Sequence, residues 1–340
     1  MLRNPAATNG DSRQEEIDEL FELAKLGYLS SCEEVPTLDD NDKTVDALAA
    51  KLEEIDQRGG SEEEVVVVSV GGDFTHDAAM QAISKAKLAR LMAILAAANA
   101  GNKNDTPSNL GTDYHRLSDI VRLGKPRHIY PLEATVTVEG REPRKYKTIH
   151  SLGALASEAV AGGVNEEGFP KGDHVAEGWL AVRSIFRARK NALRLEASNI
   201  GLKAGRYLTD LIFAADKAIA GGFVRFRGSS LADPESITMA HSGKSWFSIL
   251  GGIAARLRGS GPGYRQAKDL ISVTIRGLER IQVGGEVVRI QDDPDRKNPV
   301  TLAVSRGAAI TALSMERPRG HVPKHRKSAH KPKSTAPALR

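Results

Sequence analysis

The sequence predicts an α/β amino-terminal domain built on a parallel sheet, followed by an antiparallel β-sandwich domain. Three observations carry this. Val65-Val66-Val67-Val68-Ser69-Val70 runs into Gly71-Gly72-Asp73, and a continuous β-branched run reads as a strand buried on both faces, as in parallel sheets. A second apolar run, Leu91 to Leu95, leads into the polar turn Ala100-Gly101-Asn102-Lys103-Asn104-Asp105. Beyond Pro126 the pattern changes to short alternating segments separated by turn residues, which predicts antiparallel pairing.

In chain order, Met1-Leu2-Arg3 is short for a first strand, strands averaging about five residues. It reads as a truncated strand or as a start lying upstream. Glu15 to Leu26 places Ile17, Leu20, Phe21 and Ala24 on one helical face, and Thr44 to Ile55 does the same with Val45, Leu48, Leu52 and Ile55. The valine strand follows, then a helix over 77–90 with Ala78, Ala82, Ile83 and Ala86 at helical spacing. A short helix is expected within 110–124, and Gly124-Lys125-Pro126-Arg127 reads as a domain boundary. Short strands are expected at 134–138, 144–149, 237–239, 270–275, 285–290 and 300–304, with one helix over 176–192. The glycine- and arginine-rich stretch 251–263 reads as a mobile loop. The domains are thus 1–125, 126–315 and a tail, 316–340.

The 340 residues carry a net charge of +5. Eight Lys/Arg and one Glu after residue 315 give the tail +7, so the remainder carries 5 − 7 = −2. This Pro-, Ser-, Lys- and His-rich tail lacks the apolar content to fold, and could dock on anionic lipid at about 1 kcal/mol per charge. Nucleic acid would be drawn by the same charge but is not the expected partner. A single cysteine, Cys32, excludes a disulfide framework and zinc-finger lipid modules. No signal peptide and no apolar run of spanning length occurs, so a cytoplasmic protein with peripheral membrane association is expected.

The chemistry expected at the two glycine turns is phosphate binding. Paired glycines let a ligand approach the backbone, and strand ends in open α/β sheets are where ligands sit. Two acids beside backbone N–H groups suit a phosphate chelated by a divalent cation. His76 reads as a capping or surface residue. His150 and His241 have no metal-ligand spacing. The chain has no Gly-x-x-x-x-Gly-Lys-Ser/Thr, no Gly-x-Gly-x-x-Gly after a strand and no Gly-x-Ser-x-Gly elbow, which argues against P-loop, Rossmann and serine-hydrolase chemistry.

Gly71-Gly72-Asp73-Phe74-Thr75 resembles the Gly-Gly-Asp-Gly-Thr signature of the diacylglycerol kinase-like lipid kinases of bacterial type. Asn104-Asp105 is similar to their Asn-Asp turn, Asn4-Pro5 to the element ending their first strand, and Thr37 to the threonine ending their second. Ile149-His150-Ser151-Leu152-Gly153 resembles their Ser-x-Gly segment, and Val283-Gly284-Gly285-Glu286 their Asp-Gly-Glu segment. The series runs in matching order over about residues 2 to 313. The resemblance implies the NAD kinase/diacylglycerol kinase-like fold and transfer of the ATP γ-phosphate to the hydroxyl of diacylglycerol or a related lipid at a membrane surface, with Mg²⁺. It implies a nucleotide site of Asn4, Thr37, Gly71, Gly72, Asp73, Phe74, Thr75, Asn102 and Asn104. It further implies a metal site of Asp73, Asp105 and Asp233, catalytic Asp73 and Glu286, and admits a homodimer. Three departures from the pattern stand out. Phe74 replaces a glycine, Asn102-Lys103 replace Thr and a small residue, and Gly284 stands where the family carries its catalytic acid. A binding protein without turnover and an NAD kinase-like enzyme therefore stay open beside the lipid kinase.

Overall fold

The computed structural model describes residues 1–3, 13–29, 31–38, 40–58, 64–99, 105–156, 183–184, 187–219, 224–284, 286–291 and 298–315. In chain order its first half holds β1 (Leu2–Arg3), α1 (Gln14–Lys25), β2 (Val35–Pro36), α2 (Asn41–Arg58), β3 (Glu64–Gly71), α3 (Asp73–Lys85), β4 (Met92–Asn99), α4 (Asp105–Leu110) and α5 (Leu117–Leu123). There follow β5 (Lys125–Ile129), β6 (Leu132–Val138), β7 (Arg144–Thr148), β8 (Ser151–Leu155), β9 (Leu193–Ser198), β10 (Tyr207–Ala214), β11 (Ala218–Ile219), β12 (Val224–Arg225) and β13 (Ser236–Gly243). The chain closes with α6 (Trp246–Arg258), β14 (Tyr264–Lys268), β15 (Leu270–Arg276), β16 (Arg280–Val283), β17 (Glu286–Arg289), β18 (Pro299–Arg306) and β19 (Ile310–Ser314).

Among these residues a six-stranded sheet has the order β2-β1-β3-β4-β19-β5. All its neighbours are parallel except β19 and β5. The valine run behaves as its composition demands. Val67 packs into a core with Val45, Leu48 and Leu52 of α2 and Ala78, Ala79 and Ala82 of α3. Val68 and Val70 face the opposite core, with Ile17 and Leu20 of α1 and Leu117 and Ile120 of α5. Alternate residues of one strand thus enter two separate cores, because each face is covered by helices.

The second sheet is antiparallel and eleven-stranded, with the path β17-β16-β8-β10-β9-β15-β18-β6-β7, β13 pairing with β10, and β14 with β13. Its strands are continuous in one hydrogen-bonded sheet, the antiparallel second domain that the short alternating segments predict. The sheet boundary also differs from a cut at 125/126. Lys125–Ile129 and Ile310–Ser314 both belong to the first sheet, because the chain returns from the second sheet to pair β19 beside β4.

Helix α3 begins at Asp73, four residues before the expected start. Gly72 is its N-cap, in extended backbone, and the Thr75 and His76 N–H groups both donate to Gly72 O. The stretch read as a mobile loop is largely helix α6, despite Gly251 and Gly252, each worth about 1 kcal/mol against a helix. Packing explains it: a Cβ on Gly252 would stand 2.2 Å from Ser242 Oγ and 2.9 Å from Arg256 Nη1. The glycine lets α6 approach β13 closely enough for Arg256 to pair with buried Asp210 of β10. The helix expected over 176–192 lies mostly outside the described residues, with 187–190 helical. Gly285, the tail, Asn4, Asn102 and Asn104 lie outside them too.

Candidate active site at the Gly-Gly-Asp turn

The carboxyl ends of the parallel strands meet along one edge. Arg3 pairs with Pro36 and Val70, and Gly71 pairs with Asn99. The Thr37 N–H donates to Arg3 O at 2.9 Å, so half-buried Thr37 extends this edge beside the turn. The turn itself is tight. A Cβ on Gly71 would lie 2.2 Å from Thr75 Oγ1, so the first glycine is required by the buried threonine packed beneath it. Gly72, Asp73 and Phe74 remain half-buried at the rim. Asp105 opens α4 and is buried on the same edge.

The second sheet brings His150 against this turn. Its Nε2 lies 3.4 Å from Asp73 Oδ1, 4.0 Å from Asp77 Oδ1 and 2.7 Å from Thr106 Oγ1. Asp73 and Asp77 stand four residues apart on α3, one above the other on a single face. Asp77 is held from across the cleft: the Ile149 N–H donates to its Oδ1 at 2.8 Å, and the Thr148 side chain also bonds it.

Electrostatically the site is a buried histidine among aspartates. Burial alone would pull the His150 imidazole below 6.5, but Asp73, Asp77, Asp105 and Asp216 together hold it above that value. Burial raises the Asp77 carboxyl to about 6, against the lowering pull of His150 and its two hydrogen bonds. Asp216 is likewise raised by burial, and its Oδ2 is buried with no hydrogen-bond partner. His76 is neither cap nor surface residue. It is fully buried beside the turn, its Nδ1 2.7 Å from Ser69 Oγ, and burial, then the charge of His150, pushes it down to about 3.

Gly284 has a physical reason. Val283 pairs with Glu286 across a two-residue hairpin loop, and Gly284 adopts φ +57°, the left-handed backbone such loops require. A Cβ there would fall 1.9 Å from Asp77 Oδ2 and 3.1 Å from Thr148 Oγ1. The volume open to a side chain at 284 is therefore already filled by the carboxylate of Asp77. Glu286 stands exposed just past this hairpin, and the surrounding protein raises its carboxyl.

Among the described residues no three His, Cys, Asp or Glu side chains are grouped to hold a metal ion. Asp233 is not brought to Asp73 and Asp105 in such a group. Its Oδ1 accepts from the Glu235 and Ser236 N–H groups of its own turn, each at 3.0 Å. Asp73 Oδ1 is buried without a hydrogen bond, an acceptor suited to a small hard cation. Asp77, Thr106 and Asp216 were not singled out by motif, and His150, within the Ser-x-Gly segment, was given no place at this turn. A helix start set at the Gly72 cap, with the rule that residues i and i+4 share a face, would have exposed Asp77.

No protein-family profile and no curated protein matches this chain. Solved structures do. Two proteins from Bacillus anthracis str. Sterne, assigned as diacylglycerol kinases, align over 92% of this chain and 95–96% of their own, at TM-scores of 0.57 and 0.58 and identities of 11% and 14%. A further diacylglycerol kinase structure from that organism aligns over the same shares, with TM-score 0.54 and 11% identity. This chain therefore has the fold of the diacylglycerol kinase-like lipid kinases.

Proposed function

We propose that this chain is a phosphotransferase that moves the γ-phosphate of ATP to the hydroxyl of a lipid alcohol, diacylglycerol or a relative. The observation that carries the reading is the convergence of Asp73, at the glycine-capped start of α3, with Asp77 and His150. A helix start offers N–H groups and a positive dipole end to a phosphate. Phosphoryl transfer asks the protein mainly for positioning and charge stabilisation, with a carboxylate to orient or deprotonate the attacking hydroxyl.

In this reading the nucleotide phosphates lie along the edge formed by Thr37, Gly71, Gly72 and Asp73, and Asn4, Asn102 and Asn104, outside the described residues, are assigned to the nucleotide by the resemblance alone. Phe74, at the rim, packs against the nucleotide. Magnesium takes few protein carboxylates and completes its shell with water and phosphate oxygens. Asp73 and Asp105 would hold it, and when bound it supplies neutralisation of phosphate charge. Asp77 is the carboxylate that serves the acceptor hydroxyl, since it fills the space of the missing acid at 284 and its carboxyl is raised toward neutrality, the range that favours a general base. His150 holds Asp73 and Asp77 in register until nucleotide binds. Glu286 lines the approach of the acceptor.

A binding role without turnover is the second reading, and a specific observation favours it: the buried His150 ring stands 3.4 Å from Asp73 Oδ1 and already occupies one side of that carboxylate. Incubation with γ-labelled ATP, Mg²⁺ and a mixed lipid extract, beside Asp73→Ala, separates the two. Label in an organic-soluble product that is lost in the variant supports the kinase. Mg·ATP binding with no transfer from folded protein supports the binding role, and label on NAD, supplied in a parallel incubation in place of lipid, would favour the NAD kinase-like enzyme.

A further inference from the structure

Helix α6 is apolar on both of its faces. Ile249, Gly252 and Ala255 are buried against the second sheet, yet Phe247 is 91% exposed, Leu250 60% and Leu257 57%, with Trp246 exposed at 39%. At 100° per residue these four side chains fall within an arc of about 100°. A helix that is apolar all round normally has both sides covered, so this outer arc wants an apolar medium.

The rim of the arc is cationic and aromatic. The Arg189 guanidinium lies 4.5 Å from the centre of the Trp246 ring, and Lys244 Nζ 5.3 Å from that of Tyr207. Arg187, Lys190 and Arg258 are exposed nearby in sequence, and Arg189 Nε donates to Lys244 O at 3.3 Å, joining the two segments. From Ser236 to Lys268 the chain has five Lys/Arg and no Asp or Glu. Large apolar side chains centred among Trp, Tyr, Lys and Arg match the zone where acyl chains meet headgroups.

We infer that the outer face of α6 is a docking surface for an anionic lipid bilayer, with Phe247, Leu250 and Leu257 entering the acyl boundary and the surrounding Arg and Lys meeting the headgroups. Charge selects this occupant over a second copy of the chain. A two-fold self-contact would press the same basic rim against itself, whereas an anionic leaflet complements it. Strand β10 runs between this face and the candidate active site. That strand bears Asp210, the anchor of Arg256, and four residues on Ala214, paired with Ser151 beside His150. Docking would bring the site to its acceptor, a role that rests on the lipid-kinase reading, whereas the docking itself requires no turnover.

Sedimentation of the full chain with vesicles tests this without ATP, using phosphatidylcholine alone and phosphatidylcholine mixed with phosphatidylglycerol. The parent is expected to partition onto the mixed vesicles. F247S/L250S, at exposed positions that leave the melting temperature unchanged, should lose at least about tenfold in partition, since each buried side chain of this size contributes more than a factor of ten when fully inserted. Leu257→Glu reports on the same face should the pair fail to melt cooperatively. Tyr28→Ser, equally exposed but on the first domain, should have no effect. Parent-like binding by both face variants overturns the inference. So does binding abolished only by K324Q/R326Q/K327Q in the basic tail, or light scattering in which F247S/L250S turns a dimer into a monomer that still binds vesicles. Vesicle binding lost with F247S/L250S but no phosphoryl transfer by the parent would leave the docking face standing and remove the kinase reading alone.

Discussion

Replacing Asp77 by asparagine separates the cost of a buried carboxylate from the shape of the side chain. Burial lifts this carboxyl from 3.8 to about 6. Between those values the folded chain keeps a proton that the unfolded chain has released, so stability falls as pH rises through the window and the whole penalty is present above it. At about 1.36 kcal/mol per unit, a rise of this size, in which the opposing attraction of His150 is already included, corresponds to roughly 3 kcal/mol. Asp77→Asn is therefore expected to exceed the parent by about 1–3 kcal/mol above neutral pH, a gain of about 2–6 °C in Tm. The advantage should shrink as pH falls through about 6 toward 3.8, which thermal unfolding followed by circular dichroism over a pH series would resolve. The same variant should lose about 10²–10⁴-fold in phosphoryl transfer, the pairing of added stability with lost activity expected where strain is kept for chemistry. A variant less stable than the parent at every pH, by a constant amount, would refute the reasoning and make Asp77 a structural acceptor for the Ile149 N–H.

Gly284→Asp should lower Tm in the parent, because its Cβ meets Asp77 Oδ2 at 1.9 Å. In an Asp77→Ala background the same change has room and a backbone that aspartate tolerates, so labelled-phosphate transfer should rise above that of Asp77→Ala alone. Arg256→Leu leaves Asp210 buried without its cation and is expected to cost about 3–5 kcal/mol in urea unfolding, most of it recovered by adding Asp210→Asn. His76, held neutral down to about 3, binds its proton in the unfolded chain below 6.5, so the parent should lose stability as pH falls from 6.5 toward 3. A His76→Gln variant should show a flatter urea-midpoint profile over that window.

The first sheet was legible because its signals are local and uninterrupted. The valine run, the Gly71-Gly72 turn and the amphipathic faces of α1 and α2 each state their structure within one or two turns of chain, and the two-sided burial of Val67 against Val68 follows from the run itself. The second sheet was most legible where one face meets solvent, although a strand was also expected at 237–239, inside fully buried β13. Strand β6 alternates between buried and more accessible positions over Leu132–Val138 and shows as period two, whereas β8 and the inner residues of β10 are buried along their length and have no period to read. Helix α6 was hidden for the opposite reason. Its glycines are breakers by composition, and what holds them helical is close packing on Ser242 and the pairing of Arg256 with Asp210 of β10, a strand that no local window contains.

The candidate site divides along the same line. Asp73, Gly71 and Gly72 declare themselves by motif, but the absence of an acid at 284 reads in sequence only as a loss. In space it has a steric reason, since the hairpin with left-handed backbone at 284 lies against a helix whose second acid occupies the volume a side chain there would need. Neither residue has that meaning alone, and they are separated by most of the chain. Substituting position 284 by itself would therefore test steric fit rather than chemistry. Only the pair, with the carboxylate moved from 77 to 284, asks whether the reaction needs a carboxylate in that volume or needs Asp77 in particular.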